Sequence, residues 1–563
     1  MKSFELFLNK SVIAPLIPEL CLLLAAIIAL VCSISGKQAS KAWIYNIPVL
    51  VLAFIYNIVV YSVLSSDEQV YLFKGTFVLD SFSVLLKGLI LLTILSFNLV
   101  AGISLKNREI IAKGEFQFLA LTMSLGACFL VSANDLILTF VSLELISLSA
   151  IALISIAKNN SLSSEAGIKY LLNGGIASAI LLFGFSIIFG IAQGNTLFST
   201  YPDFIKNFNN LELLKTFPFI LFSLALFFVV VAFGFKLSLS PFQLWSPDVY
   251  EGAPLPVTAL MATISKIAAF GIMCRIFFTI FSFHYVFTVI FACLLALMAI
   301  LSMLYGNLIG LRQFSLSPAK RSLKRLMAYS SMAQMGYIIT AVCLVSDIHL
   351  ERALFYLSAY IVVNLVFFVA LIKLDNWHQE NNSSVNSDSF EALKGLFKLN
   401  PKLGLLMTFC LANLAAILPS LLIAKIILLQ SSLSVGLKYL IPSLTLTESQ
   451  IQLPILSFLS LIMTIVILFT SIIGAFYYFS LIKNIFSDNS ITLTNNSSSL
   501  KTKRFDFSHL MLNGTLVSLL ILSLSFTFNL QFWLQTVSRN SSIALFTTAA
   551  NGLREAMLEK EIK

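Results

Sequence analysis

The stretch FGFKLSLSPFQLWSPDVYEGAPLPVTALMATISKIAAFG, residues 233–271, decides the fold, because it sets two lysines in apolar surroundings on either side of a run of prolines. Lys236 precedes Pro241, and Pro247, Pro254 and Pro256 follow closely. Each proline removes a backbone donor and crowds the preceding turn, so a helix arriving here has to break. Beyond the break a second apolar run opens near Val257 and carries Lys266 well inside it. A helix broken at membrane depth frees backbone groups that are tolerated only where they face protein, water or ions.

The rest of the chain makes lipid the solvent. Of 563 residues, 58% are hydrophobic and 11% charged, and the mean hydropathy is +0.93, values that do not suit a water-facing surface. Apolar runs long enough to cross a hydrocarbon core of roughly 30 Å recur throughout. They fall near 12–32, 43–64, 77–104, 116–133, 136–157, 168–192, 217–240, 254–281, 285–311, 325–345, 351–373, 403–430, 453–483 and 510–534. The expected fold is therefore an all-α integral membrane protein of about 14 transmembrane helices. The charged head, apolar middle and small-residue exit of residues 1–36 resemble a signal peptide, but Val12–Cys32 is long enough to span, so an uncleaved first helix is the simpler reading. The polar segments 375–392 and 487–508 read as loops.

The net charge of +10 lies in short loops rather than on one folded face, which argues against a nucleic-acid partner. Twenty basic residues follow odd-numbered spans and eleven lie on the other side. Lysine and arginine collect in cytoplasmic loops, so both termini are expected outside the cytoplasm, which an even number of spans requires. Seven cysteines, Cys21, Cys32, Cys128, Cys274, Cys293, Cys343 and Cys410, are scattered through apolar runs without CxxC pairs or metal-ligand spacing. No iron–sulfur cluster, zinc site or disulfide framework is expected.

Five basic residues, Lys87, Lys236, Lys266, Arg275 and Lys425, fall inside spans and cannot serve as orientation signals. An ionisable group at bilayer depth costs a few kcal/mol by insertion scales, about 2.5 to 3.5 at the helix centre, so each is a functional candidate. Glu144 joins them roughly 13 Å into its span, as a carboxylate able to exchange charge with a buried lysine rather than only hydrogen-bond a neighbouring helix. Lys425 follows the mid-span Pro419, so the second half repeats the pattern of a break beside a lysine. Lys87 shares a helical face with Asp80 and either joins a path or reaches the interface. Arg275, near a span end, reads as a snorkelling anchor. Asp135 suits an N-cap on the Glu144 helix. Burial disfavours the charged form of a lysine and a nearby carboxylate favours it, so a chain of such sites linked by water can pass protons without metal or organic cofactor.

The stretch from Phe235 to Gly271, with SLELISLSAIAL, EAGIKYLLNGGIASAILLFG, LKRLMAYSSMAQMGY and GAFYYFSLI, resembles subunit N of proton-pumping NADH:quinone oxidoreductase, complex I, over roughly residues 75 to 485. The resemblance implies fourteen helices with two inverted five-helix repeats and broken helices 7 and 12. It divides the chain into a three-helix segment at 1–115, a first antiporter-like repeat at 116–281, a second at 285–483, and a last helix and tail at 484–563. It implies a proton relay through Glu144, Lys236, Lys266 and Lys425, with Lys169 near the cytoplasmic entrance. NADH, FMN, iron–sulfur clusters and quinone would lie on other subunits, with other membrane-arm subunits and the lipid bilayer as partners and the bacterial inner membrane as the site. Gln243 and Gln334 stand where the family usually has histidine, the helix 12 motif reads LAAILPSLLI and reaches its lysine one residue early, and residues 312–322 form an apparent insertion. The competing expectations are a cation/proton antiporter subunit, a membrane subunit of a proton-pumping hydrogenase, and a structural subunit with a degenerate channel.

Overall fold

The computed structural model describes residues 13–35, 41–64, 69–104, 113–201, 217–281, 285–316, 321–380, 388–440, 454–487 and 540–541. Helices α1 (Ile17–Ile34) and α2 (Ala42–Val63) lead into a hairpin of β1 (Val70–Leu72) and β2 (Phe77–Leu79), in which Val70 pairs with Leu79. The third expected span thus opens with a strand, and helix α3 (Ser81–Ser104) begins only after Asp80, whose Oδ1 accepts the Ser83 N–H at 2.8 Å. Helices α4 (Lys113–Val131) and α5 (Leu136–Ile154) follow, with Asp135 accepting the N–H groups of Ile137 and Leu138 as the cap expected of it. Helix α6 (Ser161–Ile191) opens at Ser161 rather than near 168, because Asn160 caps it, and so Lys169 lies inside the helix and not in a loop.

Helix α7 (Phe217–Lys236) stops at Lys236, a short helix α8 (Trp245–Gly252) follows, and α9 (Leu255–Ile276) then runs through Lys266 and Arg275. Next come α10 (Tyr285–Arg312), α11 (Leu323–Val342) and α12 (Asp347–Glu380). The second break separates α13 (Pro401–Leu414) from α14 (Pro419–Leu440), and α15 (Pro454–Ile485) closes the described helices. Helix α12 runs on through residues 375–380, which the sequence had suggested were loop.

Among the described residues twelve helices are long and apolar enough to cross a membrane, the pair α13–α14 counting as one. Helix α11 is 20 residues long and buried along nearly its whole length, but is more polar. The fourteenth expected span, 510–534, lies outside the described residues, as does the insertion's middle, 317–320.

Two helices form the centre. The whole apolar stretch of α12 and nearly all of that of α9 are buried, whereas only about a third of α1, α2, α6 and α15 is. Helix α9 packs against α3, α4 and α12, and α11 packs against α10, α12 and α8. Lipid offers no hydrophobic drive for such packing, so small residues that let backbones meet have to supply it. Gly306 of α10 does so: a Cβ there would stand 2.7 Å from the Tyr329 carbonyl oxygen and 2.9 Å from the Ala333 nitrogen of α11.

Candidate proton-relay site

Both helix breaks are held by local hydrogen bonds and each contains a non-glycine residue in the left-handed region, Ser238 at φ 57° and Ala416 at φ 56°. Such a residue costs on the order of 1–3 kcal/mol and persists only where its surroundings over-determine it. At the first break the Ser240 N–H donates to Ser302 Oγ at 2.8 Å, and the Trp245 indole donates to the Phe235 carbonyl at 3.1 Å. Helix α8 therefore caps the end of α7, one residue from Lys236. At the second, the Gln334 amide of α11 donates to the Leu414 carbonyl at 3.4 Å and accepts the Tyr356 hydroxyl at 2.5 Å.

Lys236 Nζ donates to Ser147 Oγ on α5 at 2.6 Å. The Ser147 hydroxyl itself donates to the Leu143 carbonyl at 2.7 Å, which leaves its lone pairs for the lysine. Glu144 sits one turn earlier on the same helix, with Oε1 buried and without a hydrogen-bond partner. Among the described residues the two side chains form no ion pair within 4.0 Å. Lys236 is thus held by a serine one turn along α5 from Glu144, and not by the carboxylate itself.

Lys266, 1% exposed, repeats the arrangement on α9. Its Nζ donates to Ser331 Oγ on α11 at 2.8 Å, and Ser331 in turn donates to the Ala328 carbonyl. Lys425 on α14 lies over the Tyr337 ring of α11, 4.2 Å from its centroid, a cation–π contact in place of a carboxylate. Tyr337 Oη donates to Thr470 at 3.0 Å and accepts the Asn307 amide at 3.2 Å. Helix α11 therefore links the lysines of the two breaks' neighbourhoods through Ser331, Gln334 and Tyr337, which lie along it at spacings of three. Gln334 is satisfied on both sides, whereas Gln243 is buried with Oε1 unpaired.

Lys169 is placed elsewhere. It is 41% exposed and holds Glu165 at 2.8 Å and Asp248 at 2.9 Å, while Arg325 reaches Asp248 at 2.6 Å and Glu251 at 3.3 Å. Sequence reading passed over Asp248 and Glu251, although both stand in the opening stretch three residues apart on α8. Partial burial pushes the Asp248 carboxyl up, but hydrogen bonds from Lys169 and Arg325, with their charges, outweigh it and hold it below the ordinary carboxylate value.

Arg275 is not the snorkelling anchor its position suggests. It is fully buried and clamps Asp80 through two bonds of 3.0 and 2.9 Å. Lys87 does not reach an interface either, because it is buried against Glu19 at 2.6 Å.

Residues 133–451 match the family described as NADH:quinone oxidoreductase/Mrp antiporter, TM. NADH-quinone oxidoreductase subunit N of Bacillus anthracis is 33% identical over 410 residues, 71% of this chain and 76% of its own. NAD(P)H-quinone oxidoreductase subunit 2 of a Picosynechococcus strain is 32% identical over 410 residues, 72% of each chain. Three solved structures share the fold. A chain of the archaeal membrane-bound sulfane sulfur reductase aligns at TM-score 0.74 and 20% identity, covering 96% of this chain and 100% of its own. A chain of respiratory complex I from Thermus thermophilus gives 0.61 and 24%, covering 91% and 98%. A chain of the Mrp complex from a Dietzia strain gives 0.72 and 19%, covering 95% and 99%.

Proposed function

The chain belongs to the family of NADH:quinone oxidoreductase and Mrp antiporter transmembrane subunits, and on that premise we propose that it is a proton-translocating membrane-arm subunit of NADH:quinone oxidoreductase. One observation carries the reading: Lys236, at the broken end of α7, rests on Ser147 within one turn of the buried, unpartnered Glu144 oxygen. An ammonium that swings from Ser147 to Glu144 keeps its proton beside the carboxylate, and one that loses the carboxylate's influence gives its proton to water and on toward Lys266. Lys425 completes the relay beyond α11, and Lys169 stands at its cytoplasmic mouth.

In this reading the chain carries fourteen helices in two inverted five-helix repeats, divided at about residues 115, 281 and 483, with both termini outside the cytoplasm of a bacterial inner membrane. NADH, FMN, iron–sulfur clusters and quinone belong to other subunits, and this chain's own residues hold and move protons. A cation/proton antiporter subunit is the second reading, favoured by the closer structural likeness to the Mrp chain than to the complex I chain.

Gentle detergent extraction of the tagged chain, followed by native electrophoresis with an in-gel NADH dehydrogenase stain, separates the two. Co-migration of tag and activity in one large assembly is expected. Migration apart from the activity, with cation/proton exchange in vesicles, would establish the second reading instead.

A further inference from the structure

Helices α1 to α4 close a four-helix ring in which α1 packs on α2, α2 on α3, α3 on α4 and α4 on α1. Glu19 of α1 and Lys87 of α3 meet across its diagonal at 2.6 Å, with 2% and 0% of their side chains exposed. Beyond that contact, among the described residues neither Glu19 oxygen nor Lys87 Nζ has a hydrogen-bond partner, and Lys87 Nζ lies 4.6 Å from the Phe77 ring centroid.

Seven residues before Lys87, at the start of α3, Asp80 pairs with Arg275 of α9 and shows what a structural ion pair looks like in this protein. Both Asp80 oxygens accept from Arg275, Oδ1 also accepts a backbone N–H, and only Arg275 Nε is left over. Desolvating two charges is repaid only when the remaining lone pairs and protons are also satisfied. The Glu19–Lys87 pair does not meet that condition through protein atoms.

The same ring buries further unpaired polar atoms. Both side-chain atoms of Asn46 on α2 and of Gln117 on α4, and Oδ1 of Asn98 on α3, have no hydrogen-bond partner among the described residues. The pair lies toward the starts of α1 and α3, and these three amides lie at the opposite end, where α2 and α4 begin and α3 finishes. Buried polar atoms of this kind are the ordinary hosts of interior water, each water bonding about three groups.

We propose that Glu19 and Lys87 form a second proton-exchange site, set in a hydrated four-helix ring outside the Glu144–Lys236–Lys266–Lys425 relay. The Lys87 ammonium passes a proton to the Glu19 carboxylate, breaking an N–H bond and forming an O–H bond, and the pair becomes a neutral amine and acid. The acid then releases its proton to water and the amine takes one from water on the other side, which restores the pair. Helices α3 and α4 both pack against α9, so the site stands one helix layer from Lys266 and can follow its charge.

The proposal rests on the proton-translocating reading, and the test keeps the two apart. Lys87→Arg preserves a cation beside Glu19 but cannot give up its proton, and the double variant Glu19→Leu/Lys87→Met replaces the pair by apolar groups of similar size, which a structural pair tolerates. Both are compared with wild type and with Glu144→Gln in reconstituted complex, reading protons moved per NADH oxidised together with NADH:quinone reductase activity. Normal assembly and reductase activity with fewer protons per NADH in both variants is expected. A wild-type proton ratio in an assembled variant, while Glu144→Gln lowers it, overturns the site alone, and so does failure of both variants to assemble. A wild-type ratio in Glu144→Gln as well would bring down the underlying reading.

Discussion

Lys236 Nζ lies 2.6 Å from Ser147 Oγ, and the carboxylate expected to hold it, Glu144, stands one turn earlier on the same helix with a buried oxygen unpaired. The ammonium is thus held by the serine and not by the carboxylate. Ser147→Ala removes a hydrogen bond to a charged group, typically about 1.5–3 kcal/mol. The expected outcome is an assembled complex whose NADH-driven proton uptake slows by about tenfold, the factor that about 1.4 kcal/mol gives in a rate, with Ser147→Thr restoring most of it. Stopped-flow pH-indicator traces on proteoliposomes check this.

The Asp80–Arg275 clamp joins the start of α3 to α9, the helix of Lys266. Removing one partner leaves an uncompensated buried charge, a loss of about 3–5 kcal/mol. Asp80→Ala should therefore deplete the subunit from membranes, and Asp80→Leu/Arg275→Met should recover more of it than either single variant. Immunoblots of membranes carrying each variant read the difference directly.

Asp248 ties α8 to α6 and α11 through Lys169 and Arg325. Its carboxyl is held below the ordinary value, so the linkage is complete above the unfolded value of about 3.9 and is lost only as pH falls through the lowered one. Solvent reaches the network, so its contribution to stability is modest. Asp248→Asn is expected to lower the melting temperature by a similar small amount from pH 6 to 8, with the gap to wild type closing below about pH 4. Differential scanning fluorimetry of the purified complex across that range tests it.

Tyr337 offers Lys425 a ring face at 4.2 Å and engages Thr470 and Asn307 through its hydroxyl. A desolvated cation–π contact is worth about 2 kcal/mol. Tyr337→Phe keeps the ring and should pump near wild-type rates, whereas Tyr337→Leu removes it and should pump several-fold more slowly with unchanged reductase activity. Equal rates in the two variants would show that the ring does not hold the lysine.

The sequence made Glu144, Lys236 and Lys266 legible because an ionisable group inside a long apolar run has so few innocent explanations. The breaks were legible because Pro241 and Pro419 cannot continue a helix. Partners were not. Arg275 and Asp80 are 195 positions apart, and only the packing of α9 on α3 reveals that a residue near a span end is fully buried. Ser147 and Ser331 carry no signal of their own, since a serine in a membrane helix normally bonds back to its own backbone, as both of these also do. Asp248 and Glu251 stand in the opening stretch but outside every expected span, because the eight-residue helix that carries them is too short for periodicity to show.

The central claim is that Glu144 drives the charge state of Lys236 and, through it, the movement of protons. The most direct measurement is the number of protons moved per NADH oxidised in proteoliposomes holding the intact complex with Glu144→Gln, which keeps the side chain's shape and removes its charge. A lowered ratio with assembly and quinone reduction intact is the outcome expected here. A wild-type ratio in a fully assembled complex would contradict it.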